Sequence, residues 1–586
     1  VNKQVLDVVL SYPKIVTRLK ERPHDLEKIE RIVAEVHGEF SPRLVSTVSK
    51  LVESTFLKLY DGLSLEMKTP LNMKQATQDY HVVLVPNHQS HADYVALTYL
   101  MWKHFALPVY VAGGINLNIF PIGPLFRKSG AFFIRRSFQS DIVYRLTFEA
   151  YIFYLLKSGW MVEFFFEGGR TRTGKLMPPR YGLFQMLLEA HAYLNDGKSL
   201  LFIPVAIAHE VIPEAKAHAR ELEGGKKAPE KTSQLLKLFQ LVNKKLGTIH
   251  VCLGEPIEVP GYIGELKYAT QELAFECFKS VGKTMPITPS ALLAMILLDE
   301  PAGALTWSHV EQKATDIRHY CLQLNIPLTQ SLREENYLQA LNLALHTFLN
   351  NGKVDVIKRE KLNMIFYAVK KEARVEILYH KNMILHHFIV PAFINATWFN
   401  LFKGQIKDSL GLTKFLMAKR KELKYEFYLP TVKEMIHHAL SVVEWALGKK
   451  LKTIDEALSF TSQELYELAS KVRPFSTAFT YMYETYYIAT MSLKYLHKEP
   501  FGRDKFITVA KELFEIELEH GRVIKYPEAF TVPILQTTLE YFLNQKVLRK
   551  VEGKFEVIEL QRVERMSEKF LNELNDQVKI RFQHTR

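Results

Sequence analysis

The chain has 586 residues, 47% hydrophobic and 24% charged, a globular composition too long for one ordinary core, so roughly two to four structural units are expected. Three cysteines, Cys252, Cys277 and Cys321, lack CxxC spacing, which excludes a disulfide framework and points to a reducing compartment. The net charge of +13 asks for an anionic partner; without zinc-finger spacing, an RNP-like segment or a long basic tail, nucleic acid is not expected, and lipid headgroups or a phosphorylated substrate are.

The opening "VNKQVLDVVLSYPKIVTRLKERPHD" has no signal-peptide layout, so no export is expected. Residues 1–70 form an N-terminal helical segment. Within it, Ser41 and Pro42 supply a cap and first turn, and Leu44, Val45, Val48, Leu51, Val52, Thr55, Phe56 and Leu59 share one helical face.

From 71 to 285 the texture changes to short apolar runs, each followed by a polar loop and a helical stretch. The runs are 81–85, 108–112, 131–134, 162–166, 201–207 and 248–253, with helical periodicity over 141–157 and 180–194. Strands alternating with helices predict an α/β domain: a mostly parallel sheet with covering helices. "EAKAHARELEGGKKAPEKTSQ" interrupts it as a charged loop, and "TMPITPS" at 284–290 reads as a linker. Residues 286–586 are helix-periodic throughout and predict an all-helical C-terminal domain. There, "NMILHHFIVPAFINATWFNLF" (382–402) lacks Lys, Arg, Asp and Glu, but its histidines, asparagines and Pro391 make a membrane span costly. A buried helix pair and an interfacial segment remain open for it.

Ligands of such a sheet bind beyond the carboxyl ends of its strands. Four strand ends there present His88, Asp93, Arg135, Arg136, Glu167, Arg170, Arg172, Lys175 and His209. On a continuous helix His88 and Asp93 would point roughly 140° apart, so pairing needs a turn between them. With that turn, Asp93 accepts from Nδ1 of His88 and leaves Nε2 as a general base. A metal held by His88, His91 and Asp93, a nucleophilic Ser90, and a plain helix cap with a loop histidine are the competing readings. "GGRTRTGKL" is nearly a Walker A loop, but Leu176 replaces the Ser or Thr that would hold Mg²⁺ and "MPPR" replaces the helix, so nucleotide binding is not expected. Its glycines and arginines, with Arg135 and Arg136, suit a phosphate monoester.

The ordered blocks "NHQSHADY", "AGGINLNIFPIGPLFRKSGAFFIRRSF", "FEGGRTRTGK" and "FIPVAIAHE", over roughly residues 80 to 215, resemble the glycerolipid acyltransferases, most closely the membrane-bound bacterial glycerol-3-phosphate acyltransferases. The resemblance implies that His88 is the general base and Asp93 its partner. It implies that Arg136, Glu167, Gly168, Arg170 and Arg172 shape the glycerol-phosphate site and that Pro204 falls in the fourth block. Arg135 and Lys175 join the expected substrate-binding set on their position alone.

Thr171, where the family commonly has Ser, and His209, where an aromatic often precedes the acid, depart from the pattern. The implied partners are glycerol 3-phosphate, an acyl-CoA or acyl carrier protein thioester and anionic membrane lipids, with no metal or other cofactor. The implied place is the cytoplasmic face of the inner membrane, peripheral or monotopic. The implied reaction is acylation of the sn-1 hydroxyl. A dihydroxyacetone-phosphate or lysophosphatidate acceptor, a non-catalytic lipid-binding protein and a metal-dependent phosphohydrolase are the alternatives.

Overall fold

The computed structural model describes residues 3–118, 122–135, 140–225, 246–262, 264–299, 303–427, 429–525 and 527–583. The chain divides into two compact units. The first comprises Val1–Thr171, Leu176–Pro213 and Ala228–Pro286, and the second Arg172–Lys175, Glu214–Lys227 and Ile287–Arg586.

In the first unit the six apolar runs lie at the strands β2 (His81–Pro86), β3 (Val109–Gly114), β4 (Ala131–Ile134), β5 (Met161–Glu163), β6 (Leu200–His209) and β7 (Thr248–Leu253), and two further strands, β1 (Gly62–Met67) and β8 (Ile257–Val259), complete the sheet. They lie in the order β1-β7-β6-β2-β5-β3-β4, with β8 also paired to β6. The run from β6 to β4 is parallel, as the alternation of strands and helices predicts, while β7 and β8 meet β6 antiparallel. Continuous apolar sequence makes a strand buried on both faces. β2 and β6 are buried at every residue. One face of the sheet packs Leu84, Val205 and Ile207 against Ala96, Leu97 and Leu100 of the helix Asp93–Phe105. On the other, Phe164 meets Phe184 of the helix Gly182–His191, and Phe166 meets Phe278 of the helix Leu266–Thr284, at ring separations of 4.9 and 5.7 Å.

Several elements differ from the sequence reading. β1 falls inside the 1–70 segment that was expected to be helical; Leu63, Leu65 and Met67 alternate toward the core, a weak period-two signal at a sheet edge. The helix Pro42–Leu59 buries Val45 and Leu59, but Leu51 is 60% exposed. The charged loop begins as a helix, Ala215–Leu222, whose Ala219 and Leu222 are buried against Val375 in the second unit; residues 226–245 lie outside the described residues. The expected linker is interior chain: Ile287, wholly buried, bridges to Leu328.

The second unit is helical as expected, with a three-stranded antiparallel sheet (Ala304–Thr306, Val354–Arg359, Met364–Val369) and the hairpin Leu548–Val551/Lys554–Val557 added. The 382–402 segment is the end of the helix Arg374–Ile384, a short 3-10 turn and the helix Ile389–Phe402, mostly buried. Asn382 is tolerated inside because its amide donates to the Thr173 carbonyl and accepts from the Tyr481 hydroxyl, both at 2.8 Å. Among the described residues no helix is long and apolar enough to cross a membrane.

Candidate active site

β2 ends at Pro86, and the chain turns through residues 87–92 before the helix Asp93–Phe105 begins. Asn87 fixes where this turn starts. Its side chain accepts from the Ile207 N–H at 2.7 Å and donates to the Ile207 carbonyl at 3.1 Å, replacing a ladder step to β6. The turn supplies the reversal that His88 and Asp93 need: Nδ1 of His88 lies 2.9 Å from Oδ2 of Asp93.

That carboxylate is fully buried and takes more than the histidine. Oδ2 also accepts the Gln89 and Ser90 N–H groups at 2.6 and 2.9 Å, and Oδ1 meets Nε2 of His209 at 2.6 Å. Burial alone would raise its pKa, but the hydrogen bonds from His209 and His88 outweigh it and hold Asp93 well below the ordinary carboxylate range. His209 Nδ1 is buried without a partner, so the Nε2–H tautomer is the one this network selects.

His88 is gripped on every side but one. Its N–H donates to Oε2 of Glu167 at 2.9 Å, and its carbonyl accepts the Thr171 N–H at 2.8 Å. Its ring stacks on Phe165 with centroids 4.0 Å apart. The side chain keeps 13% exposure, and Nε2 has no hydrogen-bond partner among the described residues. Glu167 also accepts the Met177 N–H at 2.8 Å, so one carboxyl ties the histidine turn to the loop after β5. Burial pushes Glu167 up to about 8; the two N–H donors pull the other way and the charge of Asp93 adds to the rise. Gly168 allows that loop its path: its φ is +68°, and a Cβ would stand 2.9 Å from Arg180 Cγ.

Glu163, at the end of β5, is fully buried, and neither carboxyl oxygen has a hydrogen-bond partner among the described residues. Burial, reinforced by the Asp93 charge, drives its pKa well above the ordinary value. Sequence reasoning passed over it because a single Glu within "VEFFF" has no motif around it. Asn87 was passed over likewise, and His209 was placed near the site without its bond to Asp93.

The other expected residues part company. Arg135, beyond the edge strand β4, forks onto Glu35 at 2.7 and 2.5 Å and lies over the Tyr144 ring. Arg136 lies outside the described residues. Arg170 is nearly buried in the first unit. Arg172 and Lys175 belong to the second unit, where Arg172 Nε donates to Glu221 at 3.0 Å and Lys175 Nζ to Glu426 at 2.5 Å. Gly174, with φ of +83°, lies so close to the Tyr379 carbonyl that a Cβ would sit 2.1 Å from its oxygen.

Pro204 is inside β6, opposite Val85 of β2. Its carbonyl accepts the Gly254 N–H at 2.8 Å, so its missing N–H falls on the same side, at the seam where β6 passes from β8 to β7.

The competing readings of the turn meet specific geometry. Ser90 is wholly buried, its Oγ accepting the Ala92 N–H at 3.1 Å, which leaves it no approach to a substrate. His91 turns toward Tyr94, and among the described residues no three His, Cys, Asp or Glu side chains are arranged to hold a metal.

The family model described as "Acyltransferase" matches residues 70–208, the stretch that holds β2 to β5, all but the last residue of β6 and the His88–Asp93 pair. A second model, "Glycerol-3-phosphate acyltransferase C-terminal region", matches residues 218–551, more than half of the chain, which therefore belongs to the glycerol-3-phosphate acyltransferase family. The glycerol-3-phosphate acyltransferase of Actinobacillus pleuropneumoniae serotype 5b is 29% identical over 63% of this chain and 46% of its own length. That of Pseudomonas putida strain W619 is 26% identical over 88% of this chain and 63% of its own. The chain spans about half the length of the curated relatives it matches. The crystal structure of the 1-acyl-sn-glycerophosphate acyltransferase of Thermotoga maritima covers 47% of this chain and 86% of its own at 14% identity, with a TM-score of 0.23 that carries no argument.

Proposed function

We propose that the chain transfers a fatty acyl group from a coenzyme A or acyl carrier protein thioester to the sn-1 hydroxyl of glycerol 3-phosphate, giving lysophosphatidate. The observation that carries this reading is His88, anchored at Nδ1 by an ionised Asp93 and open at Nε2. Nε2 takes the hydroxyl proton as that oxygen attacks the thioester carbonyl. The tetrahedral oxyanion is stabilised by peptide N–H groups or a nearby cation. The C–S bond then breaks, and the departing sulfur recovers the proton from His88. No acyl-enzyme forms.

Asp93 holds the tautomer, and Glu167 positions His88 through its N–H. Gly168 and Pro204 serve by keeping backbone geometry. Arg136, Arg170, Arg172 and Lys175 are the proposed phosphate-binding residues; Arg172 and Lys175 take part only by releasing Glu221 and Glu426, and Arg135 joins them only by releasing Glu35. The +13 charge and the 60% exposure of Leu51 on the helix Pro42–Leu59 support peripheral attachment to an anionic leaflet, at the cytoplasmic face of the inner membrane.

A purified-chain assay crossing both thioester donors with glycerol 3-phosphate, dihydroxyacetone phosphate and lysophosphatidate tests the reaction. Turnover is expected with glycerol 3-phosphate; preference for either other acceptor reassigns the substrate, and no transfer to any of them removes the reading. Flotation with anionic vesicles tests the attachment.

A further inference from the structure

In the second unit, the helices Ile389–Phe402, Ser409–Leu423, Val432–Leu447 and Ser462–Thr477 enclose a cleft with about 950 Å³ of atom-free space, its open mouth included. Its wall is almost wholly apolar, with Phe393, Ile394 and Leu468 among its side chains. Met417, Val432 and Ile436 line it too and are 38%, 42% and 36% exposed, so the apolar surface continues out to solvent.

Two polar groups break that wall. Arg420 has a buried Nε with no hydrogen-bond partner among the described residues, while its Nη2 donates to the Pro430 carbonyl at 3.3 Å. Among the described residues no carboxylate pairs with it. Trp398, only 4% exposed, has its indole N–H buried and without a partner among the described residues as well. Buried donors without acceptors are costly, and both of these line one cleft that is otherwise made for hydrocarbon.

We propose that this cleft binds a single-chain anionic amphiphile, its alkyl chain along the apolar wall and its acidic head accepting from Arg420 and Trp398. A cation and two N–H donors select a carboxylate or phosphate head over a neutral or cationic one. A free long-chain carboxylate and a lysolipid phosphate share this chemistry. The proposal rests on the cleft alone and does not need the acyl-transfer chemistry assigned to His88.

The test is calorimetric titration of the full purified chain with palmitate, palmitoyl lysophosphatidate and hexadecyltrimethylammonium, each below its micelle concentration. At least one anionic ligand is expected to bind one to one, the cationic one at least tenfold more weakly, and the better anion identifies the source. Ala439→Trp, which fills the cleft, is expected to weaken binding at least tenfold. Arg420→Gln, at a partly exposed side chain that folding tolerates, is expected to weaken it about tenfold, and Trp398→Phe several-fold. Equal binding of the cationic amphiphile, undiminished binding in Arg420→Gln, or no binding by either anion overturns the proposal. Because the readout is binding with His88 intact, its failure is distinct from a failure of acyl transfer.

Discussion

Around Asp93 one buried carboxylate is met by two imidazoles and two peptide N–H groups, and burial raises the pKa of the neighbouring carboxyls of Glu163 and Glu167. In the second unit, Lys419 sits between Glu422 and Glu573, and Lys569 reaches Glu422, so buried cations and carboxylates alternate. There, burial would discharge Lys419, but its two carboxylate neighbours outweigh it and hold its pKa well above the ordinary lysine value. The second cluster is a balanced clamp between the helices Ser409–Leu423 and Leu560–Gln583. The first is unbalanced: its charge is stabilised by groups that also orient a ring, and one nitrogen of that ring is left over. A balanced buried cluster holds elements together; an unbalanced one with an open valence is equipped for proton transfer.

The sharpest way to break that comparison is His88→Ala. It is expected to lower kcat about 10³-fold, the usual worth of a general base, with the thermal midpoint nearly unchanged. Residual activity near wild type ends the assignment. Lys419→Met should behave oppositely, costing about 3–5 kcal/mol in chemical unfolding because it leaves two buried carboxylates facing each other, while kcat per folded molecule holds. A large fall in kcat would move that cluster into the catalytic class.

Arg172→Ala is expected to raise KM for glycerol 3-phosphate about tenfold and leave kcat within a few-fold, the pattern of lost substrate binding rather than lost chemistry. An unchanged KM places the phosphate elsewhere. The pH dependence of stability is a smaller effect. Burial raises the folded pKa of Glu167 from the ordinary carboxylate range to about 8. Its contribution is fully present below the unfolded value and is lost as pH rises through about 8, so resistance to denaturant should weaken from pH 5 to pH 8. Glu167→Gln should flatten that slope, and an equally steep one would assign it to other groups. The smallest change expected is Glu163→Gln, under about 1 kcal/mol, because burial already disfavours the charged form of that carboxyl. A loss of several kcal/mol would mean that Glu163 is ionised and paired.

The sequence by itself determined the sheet and its chemistry-bearing edge. Apolar runs of strand length separated by helical periods leave few alternatives to a covered parallel sheet, and that topology puts the ends of β2, β5 and β6 on one side. So His88, Asp93 and Glu167 were legible from the chain alone. What tertiary structure decided was partnership. Arg135 and Arg172 look equivalent as arginines after strands, yet each has a carboxylate, Glu35 or Glu221, that no spacing could have announced. Asn87 and His209 acquire their roles only through pairing of β2 with β6, and Glu163 its proton only through burial. Local periodicity is written in neighbouring residues; the partner and the charge of a buried polar group depend on segments a hundred residues away, and only the folded chain brings those together.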